Sequence, residues 1–153
     1  MPEHLLCDPD KQEIPVSSLA YLGDAVYELA VRDRILATCA GQAHMLFRLS
    51  LRYVEASAQA AALDFIYPQL TEEEQALCRR ARNHVPKSRP RKQDPLAYRK
   101  ATALEALCAW LYLQAAEDRL GEILEACFHY LEEDKPGTQG ESLASDSLDK
   151  PSR

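Results

Sequence analysis

The stretch LAYLGDAVYE, Leu19 to Glu28, reads as helix. It is apolar apart from Glu28 at its end and Asp24 near its middle, directly after Gly23. A carboxylate taken out of water without a partner costs several kcal/mol, so Asp24 needs either a partner or a task. Around it, Leu22, Val26, Leu29, Ala30 and Ile35 recur at helical spacing. They predict one helix that Ser17 or Ser18 caps and that ends at or just before Gly41.

Working outward, a second helix is expected from about His44 to Leu63, rich in alanine at EASAQAAAL. DFIYPQL is a short apolar piece broken by Pro68. TEEE, with Thr71 as cap and acids in the first turn, opens a helix that continues into QALCRRARN. HVPKSRPRKQDP has three prolines and no apolar periodicity, and reads as a loop. A long helix follows from Leu96 through LAYRKATALEALCAWLYLQAA, and another covers EDRLGEILEACFHYLEE. No stretch alternates as a strand does. The expected fold is therefore all-α, with one domain over residues 14–132 between a lead-in (1–13) and a tail (133–153). The tail lacks aromatics, is rich in Ser, Gly, Asp and Pro, and is expected to be disordered.

A chain of 153 residues is long enough to bury a sizeable core. It has no 18-residue apolar run and no basic-then-apolar leader, so neither a membrane span nor a signal peptide is expected. The five cysteines, at 7, 39, 78, 108 and 127, are odd in number and lack CxxC spacing. Buried reduced thiols in a cytoplasmic protein are the expectation, rather than a disulfide framework or zinc site. The net charge of −6 argues against nucleic acid, but its distribution does not. Arg79, Arg80, Arg82, Lys87, Arg89, Arg91, Lys92, Arg99 and Lys100 face one acid, Asp94, within residues 79–100. Nine bases and one acid make that window +8 and leave −14 for the rest of the chain. Such polarity suits a polyanion, although a basic run is also a common solvated loop.

Asp24 has a counterpart. In ATALEALCAWLYL, Glu105 interrupts a second apolar helix. One turn away from Asp24 stand Ala20, Tyr21, Tyr27 and Glu28; one turn from Glu105 stand Ala101, Thr102, Cys108 and Ala109. Small residues allow helices to approach closely. If these faces meet, Asp24 and Glu105 come together, with Glu28 one turn away. Paired carboxylates repel unless a proton or cation intervenes, and their hard oxygens suit Mg²⁺ or Mn²⁺. The bland reading is that each acid simply faces solvent or pairs with a base. Only Tyr98 interleaves the basic residues, so contact with a duplex backbone is better supported than stacking on single-stranded bases.

YLGDAVYE resembles the ribonuclease III signature, and TALEAL resembles the second acidic motif of that superfamily. With VRDRIL, YVEASAQA, EEEQALCRRARN, YRKATALEAL and WLYL, the chain from Ser17 to Leu131 is similar to Mini-ribonuclease III, the compact branch that has the catalytic domain alone. The resemblance implies a single ribonuclease III catalytic-type helical domain, a homodimer, and Mg²⁺-dependent cleavage of double-stranded RNA to 5′-phosphate and 3′-hydroxyl ends, with Mn²⁺ as a substitute ion. It implies a part in maturing the 23S ribosomal RNA precursor in the cytoplasm, with help from a ribosomal protein left open. Asp24 and Glu105 match the catalytic, metal-binding acids; Tyr21 stands where larger family members carry an aromatic at the dimer interface. Arg79, Arg80, Arg82, Lys87, Arg89, Arg91, Lys92 and Arg99 are the expected RNA contacts.

The chain also departs from the larger enzymes. Ala20 and Thr102 replace two further acids, as is common in the compact branch, and Ala81 and Ala109 stand where that branch often has glycine. Fewer carboxylates imply weaker or more water-mediated metal binding. They also motivate two rival expectations: a non-catalytic module binding duplex RNA or the pre-ribosome, and a helical scaffold whose basic loop docks an acidic protein.

Overall fold

A computed structural model describes residues 14–84, 92 and 94–133. The expected lead-in, the tail beyond Glu133, and Lys87, Arg89 and Arg91 lie outside them. The described residues form six α-helices and no strand: α1 (Val16–Thr38), α2 (Ala43–Val54), α3 (Ala56–Ile66), α4 (Glu72–Asn83), α5 (Pro95–Leu113) and α6 (Glu117–Glu133). A 3₁₀ turn, Tyr67–Gln69, joins α3 to α4 around Pro68.

α5 is the central post. Ala103, Leu104, Ala106, Leu107, Cys108 and Ala109 are all fully buried along it. Its apolar residues surround the axis because α1, α3 and α4 pack on different sides of it. Asp94 caps it by accepting from the Leu96 N–H at 3.1 Å, with Pro95 at the first helical position, where its missing donor costs nothing. α4 begins as expected: Thr71 Oγ1 accepts from the Glu74 N–H at 3.2 Å while the Glu74 carboxylate accepts from the Thr71 N–H at 2.8 Å. Glu74 is buried, and its second task is to receive the Arg119 guanidinium at 2.9 Å, which ties α4 to α6. That partner holds its carboxyl below the usual range.

Several boundaries differ from expectation. Pro15 precedes α1, and neither Ser17 nor Ser18 caps it; both lie inside the helix, exposed. The core-facing stripe of α1 is Val16, Leu19, Gly23, Tyr27, Val31 and Ile35, whereas Leu29 points outward. The helix expected from His44 to Leu63 is two helices. Glu55, with φ −61° and ψ 142°, is extended and breaks the ladder between α2 and α3. α5 stops at Leu113 rather than running on to Ala116, because Ala115 adopts φ 54°. The Ala116 N–H then reaches back to the Leu111 carbonyl at 3.0 Å, closing the helix end. At the other end of the domain, Glu133 still belongs to α6 instead of to the tail.

α6 is clamped over α1 and α2. Arg34 forks onto Glu132 with bonds of 2.9 and 2.8 Å and reaches Glu125 at 2.7 Å. Arg52 donates to the Leu131 carbonyl, and Tyr53 donates to Glu132 at 2.9 Å. Beneath them Phe128 meets Tyr27 and Tyr53 edge-on at 5.7 and 5.4 Å, and the Tyr27 hydroxyl donates to the Tyr53 carbonyl at 2.9 Å. Cys78, Cys108 and Cys127 are buried free thiols and Cys39 is a half-buried one. No helix among the described residues is long and apolar enough to cross a membrane.

Candidate active site

The site begins with a glycine. At the crossing of α1 and α5, a Cβ on residue 23 would overlap the carbonyl of Glu105 and come within 2.9 Å of its Cα. Only glycine lets the two backbones approach this closely. The contact puts Asp24, the next residue, at the same crossing as Glu105.

The two acids live in different environments. Asp24 is exposed, so the desolvation cost suggested by its apolar flanks does not fall on it. The cost falls on Glu105, whose carboxyl is pushed up to about 7 by burial first and by the negative charge of Asp24 second. Gln59 on α3 opposes that rise by hydrogen-bonding the carboxylate. Gln59 is buried, and sequence reasoning missed it. Its signal was present, a lone polar amide inside the alanine-rich run EASAQAAAL, but the run was read as one continuous helix with no face assigned.

The flanking positions are also placed. Glu28 pairs with Arg32 one turn on, with a Nε–Oε1 distance of 3.1 Å, so its carboxylate answers a base on its own helix. The Thr102 hydroxyl donates to the Tyr98 carbonyl at 2.9 Å and adds no charge to the site. Ala81 and Ala109 are fully buried. Arg79 and Arg80 are exposed and Arg82 half-buried at the last turns of α4; Lys92 is exposed, and Arg99 half-buried in the first turns of α5. Tyr21 is 85% exposed. With Leu36 and Phe47, at 62% and 64%, it belongs to an uncovered apolar set on α1 and α2. A groove of about 280 Å³ lies between these helices, lined by Ile35, Leu36, Leu46 and Phe47.

Among the described residues no group of three or more His, Cys, Asp and Glu side chains is placed to hold a metal. Two carboxylates remain, and their chemistry fits a hard divalent cation. Both are oxygen donors, and the negative charge of Asp24 bears on Glu105. Mg²⁺ commonly takes one or two carboxylates and completes its shell with water and substrate phosphate.

An acid pair at a glycine-mediated helix crossing, in an all-α domain with a basic helix end, defines a class of helical domains built around a two-carboxylate site. Residues 17–116 match the family model of the Ribonuclease III domain. A Mini-ribonuclease 3 from Symbiobacterium thermophilum is 44% identical over 119 residues, covering 78% of this chain and 92% of that protein. One from Gloeobacter violaceus is 42% identical over 127 residues, with 83% and 92% covered. A crystal structure of a Fusobacterium nucleatum protein superposes with a TM-score of 0.72 at 30% identity, covering 79% of this chain and 97% of that one. The chain belongs to the ribonuclease III family, in its Mini-ribonuclease 3 branch.

Proposed function

We propose that this protein is an endoribonuclease that hydrolyses phosphodiester bonds in double-stranded RNA with Mg²⁺, leaving 5′-phosphate and 3′-hydroxyl ends. One observation carries the reading: the close approach of Gly23 to the Glu105 carbonyl, which brings Asp24 and Glu105 to one crossing. These two side chains would hold the ion. When bound, the ion supplies a water of lowered pKa and neutralises charge on the scissile phosphate and leaving oxygen. Asp24, exposed, presents a carboxylate to solvent and substrate. Glu105 would hold the ion as its carboxylate, the form that Gln59 favours. Neither acid is required to act as a conventional general base.

Arg79, Arg80 and Arg82 at the end of α4, with Lys92 ahead of α5 and Arg99 in its first turns, hold backbone phosphates and read A-form shape more than sequence. The exposed Tyr21, Leu36 and Phe47 support a homodimer, which sets two sites on one duplex, one per strand. The 23S ribosomal RNA precursor is the proposed substrate and the cytoplasm the proposed compartment, in keeping with the free thiols.

The test is cleavage of a panel of structured RNAs, including ribosomal precursor stems, with and without Mg²⁺, by the unaltered protein and by Asp24→Asn. Magnesium-dependent cleavage that Asp24→Asn abolishes supports the reading. Equal activity of a clean Asp24→Asn preparation removes the acid pair from the mechanism.

A further inference from the structure

The α3–α5 helix pair carries a polar cavity, on the flank where α4 packs. Its volume is about 150 Å³, and Asp64, Tyr67, Pro68, Cys78, Arg82 and Lys100 line it. A cavity of roughly this volume admits a benzene-sized ligand, so a phosphate group has room. Lys100 Nζ donates to Asp64 Oδ2 at 2.7 Å, and Arg79 Nη1 donates to the Tyr67 hydroxyl at the rim at 3.2 Å. Two cations, Arg82 and Lys100, thus line the cavity with one carboxylate, Arg79 stands at its rim, and the cavity is net positive.

The Lys100–Asp64 pair is lopsided. The lysine side chain is 20% exposed and the aspartate 59%. The ammonium is therefore fixed in the wall while the carboxylate sits on the solvent side, free to leave. Exposed pairs of this kind contribute little to stability and exchange readily. A phosphodiester oxygen offers Lys100 the same charge-assisted acceptor that Asp64 does. Lys100, which donates to Asp64, lies five residues along α5 from Glu105. Five helical residues rise about 7.5 Å and turn by about 140°, so the cavity opens on a different side of α5 from the acid pair.

We propose that this cavity takes one phosphodiester group of the duplex, and that Asp64 is a built-in competitor which occupies Lys100 until RNA displaces it. The inference rests on the double-stranded RNA reading above and adds to it a binding subsite and a device that holds down affinity.

The experiment titrates a fluorescent RNA duplex with the Asp24→Asn chain, at several salt concentrations, so that cleavage does not deplete the probe. Asp64→Asn is expected to tighten binding about 2- to 5-fold, the scale of an exposed ion pair. Lys100→Gln and Arg82→Gln each weaken binding and lower the slope of log K against log salt by about one; Lys100→Arg retains it. In the Lys100→Gln background Asp64→Asn has no further effect. Unchanged affinity and slope in both Lys100→Gln and Arg82→Gln overturn the subsite. A gain from Asp64→Asn that survives Lys100→Gln overturns the competitor role. If the unaltered protein cleaves duplex RNA and these variants bind normally, only the cavity falls. If it binds polyglutamate but no duplex RNA, the RNA reading falls with it.

Discussion

Gly23 lies against the peptide of Glu105, so that the backbones of α1 and α5 touch where the two acids meet. Gly23→Ala forces them apart, since the added methyl meets backbone rather than a side chain that can turn aside. Overpacking of this kind costs about 1–3 kcal/mol, occasionally more. The expected outcome is a lowered urea midpoint together with a loss of cleavage larger than the lost folded fraction explains. Normal activity per folded molecule would show that the acids tolerate a wider crossing.

The raised carboxyl of Glu105 makes the metal-free protein sensitive to pH. Above the ordinary value of 4.5 the unfolded chain has released this proton, while the folded chain keeps it up to about 7. Folding then binds a proton, and this group's contribution to stability falls as pH rises from about 4.5 to 7. Glu74 and Glu132, with lowered values, act oppositely and lose their contributions as pH falls through the acid range below 4.5. In EDTA, Glu105→Gln should gain on the unaltered protein between pH 5 and pH 7.5. Added Mg²⁺ should raise the melting temperature at pH 7.5 only when Glu105 is present. Parallel stability curves for the two proteins would contradict the burial of this carboxylate.

The uncovered apolar set on α1 and α2 predicts an association equilibrium. Phe47→Asp places a charge beside the groove and should convert the protein to monomer in sedimentation experiments without lowering its helical content. Tyr21→Ala should weaken association in the same direction. A protein that sediments as monomer before any substitution leaves the exposed Tyr21 without this role.

Arg34 spans α1 and α6 through a planar fork, and a lysine does not reproduce it. Arg34→Lys should lower stability by about 1 kcal/mol and Arg34→Ala by about 1–3 kcal/mol, the range for hydrogen bonds to charged partners. Denaturant melts of the two variants check the order. If they are equal, the fork contributes nothing beyond its aliphatic stem.

Much of this architecture was legible from residue patterns. The Thr71–Glu74 capping box and the polar flanks of α4 are local signals, read without knowledge of the fold. The pairing of Asp24 with Glu105 was inferred from small neighbours on two helices, and the reason for Gly23 appears only where the helices cross. Which acid is the more withdrawn from solvent was not legible. Both acids have apolar flanks, yet the face of α1 that carries Asp24 is open, while Glu105 belongs to a helix enclosed on three sides. The break at Glu55 carries no Gly or Pro to announce it; packing of α2 and α3 in different directions imposes it. Gln59 was hidden for the same reason, since its face depends on where α3 starts.

The extended backbone at Glu55 also separates two jobs. On its N-terminal side α2 carries the exposed Met45, Phe47, Leu49 and Leu51; on its C-terminal side α3 carries the amide that steadies Glu105. One non-helical residue uncouples the rotational phase of the two helices. The outer face of α2 is therefore open to redesign for solubility or altered assembly, and such changes reach the acids through association, leaving their spacing as it is.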